Sequence, residues 1–129
     1  MTEQILFRNV MKITEGSLEP FREAVRQAIE FVERNGPQIM VRTFIDEQEM
    51  RAVSFQLYRN CEDVLRHWEI SDPHIRAVSK HCSVEKFEVY GNPSDEVAAG
   101  LSQFLSDGRG QIMNPLAGFT RFEQSHKSA

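Results

Sequence analysis

The sequence predicts an α+β fold with the element order β-α-β-β-α-β. Three observations lead there. Four stretches carry the apolar alternation of strands, two carry the three-to-four-residue apolar spacing of helices, and a four-residue polar turn joins the second and third strands. The chain has 129 residues, which is the length of one domain. At 40% hydrophobic and 26% charged residues it has the balance of an ordinary water-exposed domain with a core.

The first strand is read over Ile5–Ile13, where Ile5, Phe7, Asn9, Met11 and Ile13 alternate with Leu6, Arg8, Val10 and Lys12. Both faces carry apolar residues, so both are expected to be covered. Gly16-Ser17 ends the pattern, and Ser17 is the expected N-cap of the first helix. Leu18, Phe21, Val25, Ala28, Ile29 and Val32 form its apolar stripe, with Pro20 in the first turn. Asn35-Gly36 is expected as a left-handed stop, with Pro37 blocking continuation.

Gln38–Ile45 reads as the second strand and Arg51–Tyr58 as the third, with Val53, Phe55 and Leu57 on one face. The polar turn Asp46-Glu47-Gln48-Glu49 makes the pair an antiparallel hairpin. Asn60 caps the second helix, which has acids in its first turn and Cys61, Val64, Leu65 and Trp68 on one face. Pro73 is expected to interrupt it, with Ser71-Asp72-Pro73 as a fresh start and Ile75, Val78 and Cys82 continuing the apolar face. Ser83–Tyr90 is the fourth strand.

This order is the ferredoxin-like α+β pattern, an antiparallel sheet with helices on one face. Arg8, Val10, Met40 and Phe44 are assigned to the other face, whose apolar content argues for a homodimer packed sheet to sheet. The core unit spans residues 5–91 of a single domain over 1–129. Residues 92–122 add an extra C-terminal helix, with Val97, Leu101, Phe104 and Leu105 on its face, and an irregular segment over Gln111–Phe122. In that segment Ile112, Met113, Leu116, Phe119 and Phe122 need cover, either from the domain or across a dimer. Residues 123–129 are expected to be a frayed tail.

Net charge is −4, with no basic stripe to meet phosphates, so no nucleic-acid partner is expected. No apolar run reaches membrane-spanning length, so no membrane partner is expected either. Met1-Thr2-Glu3-Gln4 does not resemble a signal or transit peptide, and Cys61 and Cys82 are expected as reduced thiols in a cytoplasmic protein. Phosphate loops, dinucleotide fingerprints, zinc motifs and nucleophile elbows are missing from the sequence. His67, His74 and His81 recur every seven residues, too far apart to share one metal, and are read as three separate and mostly solvated side chains with no metal site. Asn9 is a polar amide on an apolar strand face. It is either a satisfied core residue or a pocket group that meets a substrate oxygen. Trp68 is either core filler or a flat wall against a planar ligand.

Phe55-Gln56-Leu57-Tyr58-Arg59-Asn60, then Leu65, then Ser71-Asp72-Pro73-His74-Ile75 resembles the antibiotic biosynthesis monooxygenase-like superfamily. Gly118-Phe119-Thr120-Arg121 is similar to endings in some of its members. The resemblance implies a dimeric α/β barrel with a pocket between sheet and helices in each subunit. It also implies a monooxygenase (an oxidoreductase) that oxidises a small aromatic or quinol-type substrate with O2 and without a cofactor. Asn9, His74 and Glu69 are then the catalytic candidates. Asn9 would hold a substrate oxygen, His74 would relay a proton, since imidazoles titrate near neutral pH, and Glu69 would be an alternative base if buried beside the pocket. Trp68, Phe7, Met11 and Phe55 are the substrate-binding candidates. Heme-degrading relatives pair a first-strand Asn and a helix Trp with a histidine ten positions past the Trp, where this chain has Val78. Quinol-oxidising relatives often carry a histidine where this chain has Glu69. Heme binding and non-enzymatic ligand binding on the same fold are the alternatives.

Overall fold

The structure, a computed structural model, describes residues 3–121. Strand β1 (Ile5–Ile13) leads into helix α1 (Leu18–Asn35). The hairpin β2 (Met40–Asp46) and β3 (Arg51–Tyr58) follows, then α2 (Cys61–Ser79) and β4 (Cys82–Tyr90). Two short helices, α3 (Asp95–Gly100) and α4 (Ser102–Ser106), precede a last strand, β5 (Gly110–Met113). The sheet order is β2-β3-β1-β4-β5. The first four strands pair antiparallel in the ferredoxin-like order, and β5 joins β4 in parallel.

Register sorts the side chains. Asn9 stands opposite Ser54, Phe7 opposite Gln56 and Met11 opposite Ala52, so these share the face under the helices. Two apolar clusters fill the space between. One joins Ile5, Phe7, Tyr58, Val64, Val89, Val97 and Leu101, with Trp68, Phe87 and Phe104 packed against it. The other joins Met11, Ile13, Phe21 and Ala52 with Leu18, Val25 and Val78. Asn9 lies on β1 between Phe7 of the first cluster and Met11 of the second.

The opposite face carries Leu6, Arg8 and Val10 from β1 with Val53 and Phe55 of β3 and Met40, Arg42 and Phe44 of β2. It is half apolar and half ionic. Phe44 and Phe55 meet edge to face at 6.1 Å. Arg8 donates to Glu88 at 2.9 Å, and Arg51 donates to Glu85 at 2.8 Å. Phe44 remains 52% exposed.

Several local expectations are corrected. Helix α2 runs through Pro73 as one element, because proline removes one helical donor and the flanking turns remain bonded and packed on both clusters. Ser17 precedes α1 but makes no side-chain cap bond. Gly36 is extended (φ −91°, ψ 164°), not left-handed. A Cβ there would lie 2.9 Å from Val32 Cβ, so close approach is what demands glycine. The third helix breaks in two at Leu101 (φ −105°, ψ 9°), just after the weak helix former Gly100. Part of the segment expected to be irregular is β5, which pairs with the otherwise open edge of β4 through Phe87 N–H to Arg109 C=O and Gly91 N–H to Met113 C=O, both at 2.9 Å. Leu116 and Phe119 find no cover, at 99% and 80% exposed. Phe122 and the tail over 123–129 lie outside the described residues. Among the described residues no helix is long and apolar enough to cross a membrane.

Candidate functional site

A cavity of about 150 Å³ lies between the sheet and the two long helices. Strands β1, β2 and β3 supply a largely polar floor of Asn9, Thr43, Ser54 and Gln56. Helix α1 supplies the apolar wall Val25, Ala28, Ile29 and Val32, and α2 supplies His67, Ser71, His74 and Val78. Met11 and Cys82 also line it. The volume suits one ring, since an apolar cavity of that size in an engineered lysozyme holds benzene.

The electrostatics are unusual in one respect: among the described residues no Asp, Glu, Lys or Arg lines the cavity. Burial favours the neutral forms of His67 and Cys82. It pushes the His67 imidazole down to about 4 and the Cys82 thiol up to about 11. Beside the cavity, burial pushes the Tyr58 phenol well above its ordinary range, and its hydroxyl donates to Gln56 Oε1 at 2.5 Å. Ser54 and Thr43 hydroxyls bond each other at 3.3 Å. Asn9 Oδ1 and Gln38 Oε1, both on lining residues, are buried without a hydrogen-bond partner. A larger cleft of about 370 Å³ lies by the N-terminal end of α2, lined by Glu3, Gln4, Asn60, Cys61, Glu62 and Asn92. It contains none of these unpartnered buried atoms and has few apolar walls.

Of the sequence candidates, Asn9, Met11 and His74 come together at the cavity. His74 packs on the Phe31 ring, with centroids 4.6 Å apart. The other four lie elsewhere. Glu69 sits two positions past His67, about 200° round the helix, and is exposed, so the burial that a base role required is not met. Trp68, about 100° round from His67, faces α3 so closely that a Cβ on Gly100 would be 2.4 Å from its ring. Phe7 shares the inner face but is enclosed by Tyr58 and Phe87, at 5.3 and 5.1 Å. Phe55 points to the opposite face, in register with Arg8 and Arg42. His67, expected to be solvated, is instead buried, and Ser71, expected at a fresh helix start, is buried beside it; the signal for both was the i, i+4 polar pair inside an apolar helical stripe. His67, His74 and His81 form no cluster able to hold a metal among the described residues.

No protein-family model matches the chain, and no curated protein does. Solved structures do. MupZ from Pseudomonas fluorescens superposes with a TM-score of 0.70 at 16% identity, over 93% of this chain and 96% of MupZ. SnoaB, a cofactor-independent oxygenase from Streptomyces nogalater, superposes at 0.61 with 11% identity, over 72% of this chain and 96% of SnoaB. A candidate antibiotic biosynthesis monooxygenase from Nitrosomonas europaea superposes at 0.60 with 18% identity, over 71% of this chain and 92% of that one. The 72% and 71% shares are about the length of the ferredoxin-like core, whereas the match to MupZ takes in nearly the whole chain. With its strand order and its helix-covered cavity, the chain shares the fold of these solved structures.

Proposed function

We propose that the protein is a cofactor-independent monooxygenase acting on a small, uncharged, single-ring phenol or quinol held in the cavity. The observation that carries this reading is the Asn9 carbonyl. Its oxygen is buried and without a partner, on a residue that lines a cavity where no charged side chain is found among the described residues. A buried acceptor costs free energy until a donor reaches it, and a substrate hydroxyl is such a donor. The apolar α1 wall of Val25, Ala28, Ile29 and Val32 matches a ring face. The likeness to SnoaB supports the choice of chemistry.

In the proposed reaction the deprotonated ring is the electron source. It passes electrons to O2, a ring carbon–oxygen bond forms, and loss of water leaves a carbonyl. One oxygen atom stays in the product and one leaves as water, so the substrate supplies all four electrons. Asn9 orients the hydroxyl, and His74 is the proton relay toward solvent. Each subunit is proposed to pair with a second copy through the open sheet face, with Leu116 and Phe119 covered in that assembly.

The test is O2 uptake with a panel of hydroquinones and phenols. Wild type is expected to consume O2, and Asn9→Ala and His74→Ala to lose roughly tenfold or more in rate while unfolding at an unchanged denaturant concentration. A wild type that consumes none across the panel contradicts the reading.

A further inference from the structure

His67 and Ser71 lie one turn apart on α2, which places both side chains on one face of that helix. They are among the most buried polar residues of the protein, at 7% and 0% exposed. His67 Nδ1 and Ser71 Oγ are 2.9 Å apart. The ring is therefore pinned at one nitrogen from its own helix. Its other nitrogen, Nε2, makes no hydrogen bond among the described residues and is not a sealed-off atom, and the residue lines the cavity.

We propose that the His67–Ser71 pair is the cavity's oxygen-recognition element. The Ser71 hydroxyl donates to Nδ1, which holds the neutral ring in the tautomer with its proton on Nε2, and Nε2–H donates to an oxygen of the bound ligand. The inference rests on the reading that this cavity is the ligand site, and it is independent of the oxidation step.

The surroundings decide between donor and base. The titratable groups facing His67 are the Tyr58 ring on β3, with centroids 6.0 Å apart, and, across the cavity lining, His74 on α2 and Cys82 on β4. Helix α1 contributes only Val25, Ala28, Ile29 and Val32. Among the described residues no carboxylate lines the cavity to support an imidazolium, and burial holds the ring's pKa near 4. Taking a proton from a phenol, which titrates near 10, would run about six units uphill. Donating a hydrogen bond needs no protonation. A fixed N–H favours an oxygen that gains negative charge. Asn9 Oδ1, on the sheet, is an acceptor, and His67, on the helix, is a donor. The ligand that satisfies both carries a hydroxyl and a second oxygen and has no net charge.

Two measurements test this on the full-length protein. Long-range proton–nitrogen NMR should find His67 uncharged between pH 8 and pH 5 with its proton on Nε2, and Ser71→Ala should lose that bias. A cationic ring at pH 6, or a proton on Nδ1, overturns the proposal. The second uses 4-nitrophenol as a probe, with its titration followed by absorbance. Its bound pKa should be about one unit higher in His67→Ala than in wild type, a tenfold loss of preference for the phenolate. His67→Gln, which keeps a donor, should lie near wild type. Equal values in wild type and His67→Ala, or no binding of 4-nitrophenol to wild type, overturn it. If both measurements succeed while no quinol supports O2 uptake, the oxidative reading falls and the recognition pair stands.

Discussion

In the unfolded chain His67 binds a proton near pH 6.5, and in the folded chain only near pH 4. The unfolded state therefore holds more protons between those values, and stability falls as pH drops through that window. The full loss is roughly 3 kcal/mol, complete by about pH 4. His67→Gln should flatten the slope of unfolding free energy between pH 6.5 and 4.5, measured by urea titration, and an unchanged slope contradicts the burial account. At this scale Asn9 was legible in the sequence, because an amide amid Ile5, Phe7, Met11 and Ile13 demands a partner. His67 was not, because a spacing of seven with His74 and His81 suggests either a metal or nothing. The informative neighbours were Val64 and Ser71, which place His67 within the buried stripe of α2.

Among the elements, α2 and α3 meet where the Trp68 ring fills the space that a Cβ of residue 100 would occupy. Gly100→Ala should gain helix propensity yet lose stability by about 1–3 kcal/mol through overpacking. A midpoint that rises in a thermal melt would show that Trp68 moves freely and is no fixed part of the core. The four core strands and two long helices were legible because each is periodic over seven residues or more. β5 was not, since four residues between Gly110 and Met113 carry no alternation and their partner, β4, is distant in sequence. The break at Leu101 was hidden in the same way. Val97, Leu101, Phe104 and Leu105 keep helical spacing across it, and Leu105 N–H still bonds Leu101 C=O at 3.0 Å.

For the whole molecule, the open sheet face and the exposed Leu116 and Phe119 set the expected assembly. Sedimentation should give the mass of two chains, and Phe44→Glu should shift it toward one, because it removes the exposed ring and its edge-to-face contact with Phe55 and adds a charge that must be desolvated on association. A wild type that sediments as one chain removes the barrel. The ferredoxin-like order was legible because a short hairpin turn and two helical stripes admit few topologies. Which candidate side chains share the cavity was not, because Phe55 and Asn9 differ by sheet face and Trp68 and His67 by helix rotation. The central claim is that the cavity under α1 and α2 receives the substrate ring. A crystal structure with bound hydroquinone tests it most directly. The ring should lie between Val25, Ile29 and Val41, with one hydroxyl about 3 Å from Asn9 Oδ1. Hydroquinone bound elsewhere, with the cavity collapsed onto its own side chains, would contradict it.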